Sequence, residues 1–186
     1  MPAPRDFAPY TRERFRALGL EFATELDIVE GRALAVRTVG DRVATVETLL
    51  RIQARTECAS YVVRGPDGGL AGALSIIPLT PAAGPDLAIG EFDGLTPPEA
   101  QAARPGDPVI ALYGWGMAGV TWRGRATVMA AAVALHREIH PDLPLYGRAA
   151  TPGGERTLLK RIGAHPVPGR GGLVMAPAWL HARKAA

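Results

Sequence analysis

The sequence predicts a mixed α/β fold of the α+β kind, with a largely antiparallel sheet, helices on both faces and a splayed central strand. Three stretches carry that prediction. Residues 109–140 read as an apolar strand, a short turn with Gly124 between Arg123 and Arg125, and a helix that opens at the turn. In that helix Val128, Ala132, Leu135 and Ile139 recur at spacings of four, three and four, so they share one face. Residues 60–64 and 70–79 read as strands joined by the turn-rich Gly65-Pro-Asp-Gly-Gly69, hence an antiparallel hairpin, and the second is apolar on both faces, which places it centrally in the sheet. Gly114, Gly116 and Gly119 all fall within one strand, the mark of a bulged or splayed strand that a ligand or another backbone approaches closely.

Taken in order, Tyr10, Phe15, Leu18, Phe22 and Leu26 stand apolar in a charged run and predict an N-terminal helical extension, residues 1–30, ahead of a single domain at 31–186. The extension covers the core, a dimer interface or the substrate groove; the sequence leaves these open, and with them a homodimer. Residues 32–39 alternate like a first strand. Gly40-Asp41 then opens a helix with Asp41 as N-cap and Val43, Val46, Leu49 or Leu50, and Gln53 inward. Residues 80–107 are rich in Pro, Gly and acids, with a short strand expected at 87–92 and a helical turn at 97–103; so long an irregular segment is functional or mobile. Beyond the central unit, residues 143–149 read as a strand and 155–162 as a short helix with Leu158, Leu159 and Ile162 inward and Gly163 as C-cap. Residues 163–167 and 172–178 read as a turn and a closing strand.

Composition narrows the class. The chain has 186 residues, 47% apolar and 21% charged, enough for one sizeable core. No window approaches a run of 18 apolar residues and no basic-then-apolar segment follows Met1, so a soluble, cytoplasmic protein without membrane partner is expected. The single cysteine, Cys58, rules out an internal disulfide and a cysteine-based metal cluster, and reads as a buried small hydrophobe. His136 and His140 stand at i and i+4, a spacing that can bind a metal, but no third ligand is in register; no metal is expected, and the two are placed on the helix surface. The charge is unevenly spread. Residues 1–119 hold 11 Arg against 15 acids, whereas residues 120–186 hold 10 Lys plus Arg against 3 acids. An anionic ligand therefore belongs to the second half. Nucleic acid competes for such a surface, yet there is no Lys-rich tail and no aromatic row for stacking, so it is not the expected partner.

A strand that feeds a helix through a Gly-containing turn aims unpaired N–H groups and the positive end of the helix dipole at one point. With Arg123 and Arg125 beside it, that point suits a phosphate or pyrophosphate better than a lone carboxylate. Many such turns bind nothing, and the pattern alone leaves both readings open. Gly114-Trp-Gly-Met-Ala-Gly119 spells the dinucleotide fingerprint, but Val120, Thr121 and Trp122 carry the chain on in strand-like residues where that fingerprint needs a helix.

The segment from Met117 to Ala126, followed by a helix, resembles the central motif of the GNAT acyltransferase superfamily, in which a strand ends in Gln/Arg-x-x-Gly-x-Gly/Ala. Arg123 is then the leading Arg, while Ala126 stands where the family prefers Gly and Val128 where it prefers Gly or Ala; their Cβ atoms leave less room for a diphosphate. The resemblance covers roughly residues 32–175. It implies a GNAT-like sheet whose central strand splays from its neighbour and pairs with the pantetheine arm of acetyl-CoA or another acyl-CoA. The cosubstrate would be held by Met117, Ala118, Gly119 and Val120 of the strand end and by Arg123, Gly124, Arg125, Ala126 and Thr127 of the turn. It further implies transfer of the acyl group to an amine of a small molecule or peptide. The C-terminal half is similar too, but Leu159 takes the place of the Tyr that commonly serves as general acid, and Ala164 that of a Phe. Acyl transfer from a thioester to an amine needs a base and, less strictly, an acid. Glu91 or Asp93, in the acidic loop, is the candidate base, directly or through a water; Tyr113 or Tyr146, on neighbouring strands, is the candidate acid. The missing Tyr motivates a second reading, a catalytically inactive domain that binds acyl-CoA or another ligand as a sensor or structural module.

Overall fold

Side-chain alternation along the strands sets the layers of the structure, a computed structural model that describes residues 6–169 and 171–182. The elements are α1 (Phe7–Ala17), β1 (Glu21–Phe22), α2 (Glu25–Val39), α3 (Val46–Thr56), β2 (Ser60–Arg64), β3 (Leu70–Leu79), α4 (Gly84–Ala88), β4 (Ala111–Gly119), α5 (Trp122–Ala134) with a π-helical turn Leu135–Ile139, β5 (Leu145–Arg148), α6 (Pro152–Arg156) with a π-helical turn Thr157–Ile162, β6 (His165–Pro166), β7 (Leu173–Ala176) and α7 (Trp179–Ala182). They build one seven-stranded sheet in the order β1-β2-β3-β4-β5-β7-β6. Neighbours are antiparallel except β4 and β5, which run parallel and are linked through α5. Tyr61, Leu74, Ile76 and Leu112 face one layer with Phe15 of α1, Val128 and Ala131 of α5 and Ile162 beyond α6. Ile77, Leu79, Ala111 and Tyr113 face the other, with Ile52 of α3 and Leu87 and Phe92 of the long loop. The period of two along β3 and β4 thus sorts the helices onto both faces, as expected. The hairpin β2–β3 falls on the expected residues, and β3 is central.

Helix caps overrule several expectations. Residues 32–39 lie within α2 and form no strand, because Thr24 closes a capping box: its hydroxyl accepts from the Asp27 amide at 3.2 Å and the Asp27 carboxylate accepts from the Thr24 amide at 2.9 Å. Once nucleated there, a run of Ala, Leu and Arg continues as helix. The first strand is instead β1. The next helix starts at Val46, capped by Thr45 and not by Asp41, since the Thr45 hydroxyl accepts from the Thr48 amide at 3.1 Å. No strand forms at 87–92, where Leu87 belongs to α4 and Phe92 plugs the core from a loop. The helix expected at 155–162 begins at Pro152, with Leu158 and Ile162 inward but Leu159 exposed; Gly163, at φ 80°, ends it as expected. Residue 30 falls inside α2, and α1 packs Ala8 and Phe15 into the shared core; residues 1–5 of the expected extension lie outside the described residues.

Asp27 does more than cap. It is 3% exposed and accepts from Arg64, which also donates to the Gly68 carbonyl. Removing the carboxylate in Asp27→Ala is expected to lower the unfolding free energy by about 2 kcal/mol, less than a fully buried pair because Arg64 is partly exposed and can re-solvate. Urea denaturation reads it.

His136 and His140 are buried, not on the helix surface. The Pro177 carbonyl lies 2.8 Å from His136 Nε2 and can only accept, so Nε2 carries the proton. The Thr11 hydroxyl donates to the Phe7 carbonyl, so His140 Nε2, 2.8 Å away, donates to Thr11 Oγ1. His140 also stacks on Phe7 with ring centroids 4.1 Å apart, and thereby docks α1 onto the end of α5. Burial lowers its pKa from 6.5 to about 4, against a small opposing pull from Asp142. The neutral ring is therefore the folded form. Stability is complete above pH 6.5 and falls as acid protonates the unfolded chain first, by up to roughly 3 kcal/mol once pH nears 4. Denaturant unfolding at pH 7, 5.5 and 4.5 is expected to show this slope, and His140→Gln, which still donates to Thr11 but does not titrate, is expected to flatten it. Cys58 is fully buried, its thiol pushed up to about 12 by burial, which makes it an inert core residue.

Candidate functional site

β4 and β5 part company early. Leu112, Tyr113 and Gly114 pair with Leu145, Tyr146 and Gly147, and past that point the edge of β4 toward β5 has no strand partner among the described residues. On the β3 side the register slips between Ser75–Gly116 and Ile76–Gly114, which leaves Trp115 as the extra residue of a bulge. A bulge bends its strand, and here it falls directly after Gly114, where the pairing with β5 ends. The glycines thus serve a bulged, splayed strand, and the dinucleotide reading fails because β4 runs straight through Gly114–Gly119. The resulting fork presents a sheet edge lined by Gly116, where a Cβ would meet nothing within 4 Å, and by exposed Met117.

The helix opens at Trp122, so Arg123, Gly124 and Arg125 lie in its first turn and not in a turn that precedes it. The physical reason is Thr121, whose hydroxyl accepts from the Gly124 amide at 2.9 Å. The amides of Trp122 and Arg123 have no intrachain acceptor among the described residues, and they open at the mouth of the fork. Arg123, Arg125 and Ala126 are exposed, Ala118 and Thr127 half-buried, and Val120 stands 51% exposed beside them. Neither arginine has an acidic partner among the described residues. Val128 is fully buried against Gly72, so its side chain takes no room from an anion at the turn. Gly124 has a different task from the one its place between two arginines suggests: a Cβ there would lie 2.0 Å from the Ala71 carbonyl oxygen. Gly119 and Gly72 are tight as well, a Cβ lying 2.7 Å from the Arg125 amide nitrogen at the first and 3.1 Å from the Gly124 carbonyl oxygen at the second. Three glycines let β3, β4 and α5 meet backbone to backbone and so fix where the helix points.

Comparisons with known proteins add distant likenesses. No family model matches the chain, and no curated protein does. Among solved structures, one described as histone acetyltransferase HPA2 and related acetyltransferase from Corynebacterium glutamicum is 15% identical, with a TM-score of 0.49, over 86% of this chain and 96% of that one. A GNAT-like decarboxylase, GphF, in complex with isobutyryl-CoA is 20% identical, with a TM-score of 0.42, over 75% of this chain and 70% of that one. A GNAT-family acetyltransferase from Listeria monocytogenes is 14% identical, with a TM-score of 0.41, over 84% and 91%. Likenesses of this size assign no substrate and no residue. The splayed central strand and the helix that opens directly after it are the chain's own, and they are those that the GNAT resemblance implies.

Of the four candidate catalytic residues, Tyr113 and Tyr146 stand on the strands that form the fork, and Glu91 and Asp93 on the long loop that packs over Tyr113. Tyr113 and Tyr146 are register neighbours on β4 and β5. Tyr113 is 5% exposed, tilted against Phe92 at 4.8 Å, and a Cβ on Gly94 would sit 2.5 Å from its hydroxyl. Burial pushes its pKa up against the pull of Arg148. Tyr146 is half-buried, its pKa also raised by burial, so it keeps its proton at neutral pH. Asp93 is exposed but committed: its carboxylate accepts from the Leu95 amide at 2.8 Å and from the Thr96 hydroxyl. Partial burial draws its pKa upward, and these bonds together with Arg148 outweigh that and hold it below the usual carboxylate value. Glu91 is exposed, with no side-chain partner among the described residues.

Arg148, which no motif marks, organises this face. It is the last residue of β5, at the fork, and its guanidinium donates to the carbonyls of Gly171 at 2.6 Å, Phe92 at 2.5 Å and Gly90 at 3.0 Å. Trp115, the bulge residue, donates its indole N–H to the Gly94 carbonyl. On the far side Arg51 and Arg55 of α3 bond the Pro97 and Ala102 carbonyls. The segment expected to be functional or mobile is a strap tied at both ends across the sheet. Close backbone approach adds to the tie: a Cβ on Gly90 would lie 2.6 Å from the Pro168 carbonyl oxygen, and one on Gly169, in the segment it meets, 2.2 Å from that of Ile89.

Proposed function

We propose that the protein is an acyl-CoA-dependent N-acyltransferase that acts on an amine of a small molecule or peptide. One juxtaposition carries this reading: the unpaired edge of β4 meets the free amides of Trp122 and Arg123 and the two unpaired arginines, Arg123 and Arg125, at a single mouth. An amide-bearing arm can pair with a strand edge, and a diphosphate suits two amides and two guanidinium groups at a helix N-terminus. In the reaction the amine nitrogen attacks the thioester carbonyl, the nitrogen gives up a proton, the C–S bond breaks and the thiolate takes a proton. Glu91 is the better base, directly or through a water, because Asp93 is already committed to Leu95 and Thr96. Tyr146 is the better acid, because the Tyr113 hydroxyl is shut beneath Gly94.

Thermal melting tests the reading. Millimolar acetyl-CoA or CoA is expected to raise the melting temperature by several degrees, since a ligand of the folded state must stabilise it. Arg123→Ala, which removes a charge-assisted contact, is expected to weaken binding about tenfold or more. No shift with either ligand would overturn the proposal. Leu159, standing where the family's acid is usual, favours a second reading, a ligand-binding domain without turnover. That reading expects the same melting shift with no thiol released by any amine.

A further inference from the structure

The mouth of the fork continues into an open groove of about 670 Å³ along the outer face of α5. Trp122, Ala126, Met129 and Val133 line it at spacings of four, three and four, an apolar stripe that faces solvent, with Trp122 78% exposed. Small Ala126 and Ala130 let another backbone approach closely. Arg125 and Arg161 flank the stripe, and Glu138 stands at its far end. Arg123, Arg156 and Lys160, nearby in sequence on the same two helices, are also exposed, and none has an acidic partner among the described residues. The Arg137 side chain donates to the Arg161 carbonyl at 2.9 Å, which ties the wall of the groove to α5.

The geometry points to an acidic amphipathic helix of a partner protein as the occupant, laid along α5 with an apolar stripe on Trp122 and Met129 and carboxylates toward Arg125 and Arg161. The groove runs from Trp122 to Glu138, roughly 24 Å at about 1.5 Å per residue, the length of several helical turns. A second copy of this chain is the weaker fit, since two such faces would bring their arginines together. Because the groove opens at the amides of Trp122, a partner seated there stands at the entrance of the fork. Resting on the proposed acyl transfer, the inference is that the site accepts its acyl group from a pantetheine thioester carried on an acidic carrier protein as well as from free acyl-CoA, the carrier docking on α5 and passing its arm into the fork.

Titration with a purified holo acyl carrier protein, beside acetyl-CoA, tests this. The carrier is expected to bind in the micromolar range, with affinity falling steeply as salt rises. Ala130→Glu and Arg161→Glu, both at exposed positions, are each expected to weaken the carrier at least tenfold and to leave the acetyl-CoA melting shift unchanged. An acetyl-CoA shift without carrier binding overturns the docking face and spares the acyltransferase reading; carrier binding without an acetyl-CoA shift does the reverse. Carrier binding unaffected by both substitutions overturns the proposal, as does concentration-dependent self-association that Ala130→Glu abolishes, which would make a second copy the occupant.

Discussion

Gly124→Ala is expected to lower the unfolding free energy by about 3 kcal/mol, the upper end of what overpacking does. The direction is opposite to local propensity, since alanine within a helix is ordinarily about 1 kcal/mol better than glycine. Packing decides the sign. The new methyl would sit 2.0 Å from the Ala71 carbonyl oxygen and 2.6 Å from its carbon, and neither is the end of a side chain that can swing aside. The Ala71 carbonyl is itself held, because it accepts the Val120 amide at 2.9 Å. Relief therefore requires the start of α5 to lift off β3, and that motion carries the amides of Trp122 and Arg123 with it. Urea unfolding is expected to show the destabilisation, and the acetyl-CoA shift is expected to shrink in the same variant. Ala126→Gly, two residues on at an exposed site, serves as the control, with only the propensity loss of about 1 kcal/mol. A neutral Gly124→Ala would mean that the helix start is loosely seated, and the three-glycine contact would lose its role.

The same glycine shows what the sequence makes legible and what it hides. Gly124 announces a close approach, but whether the neighbour is a phosphate or a strand depends on where β3 passes, which is a matter of tertiary packing. Periodicity found β2, β3, β4 and the inward face of α5 because burial imposes the spacing directly; Val128, Ala132, Leu135 and Ile139 are all buried. It failed at residues 32–39, where a short alternation of small and apolar residues fits either period and the decision was made upstream, by the Thr24 and Asp27 caps. The histidines were misplaced for a related reason: a helix position says nothing of what packs outside it, and here α1 and the Pro177 segment cover that face. Most hidden was Arg148. A lone arginine at the end of a strand carries no pattern, and its three carbonyl partners are separated from it by 58, 56 and 23 residues.

Arg148 accordingly supports the second large expected effect. Arg148→Met keeps a flexible apolar stem but removes every donor, so the carbonyls of Gly90, Phe92 and Gly171 lose their partners at once. At roughly 1 kcal/mol for each bond the loss is about 3 kcal/mol. Arg148→Lys is expected to recover only part, because one ammonium cannot replace a planar fork that reaches carbonyls on two separate loops. The effect is also local. Without the guanidinium, residues 89–94 and Gly171 lose their common anchor, and cleavage by a protease within residues 84–103 is expected to quicken well beyond what the global loss accounts for. The Trp115 emission is expected to shift as its bond to Gly94 loosens. Chemistry follows from the same change. Asp93 loses a cation that favours its ionised form, so its carboxyl moves up toward the ordinary range, and the Tyr113 hydroxyl is uncovered. If Asp93 and not Glu91 serves as the base, the acid side of the pH–rate profile moves to higher pH in the variant. A variant as stable and as protease-resistant as the wild type would show that the strap is held from α3 and β4 alone, and that Arg148 is a bystander at the fork.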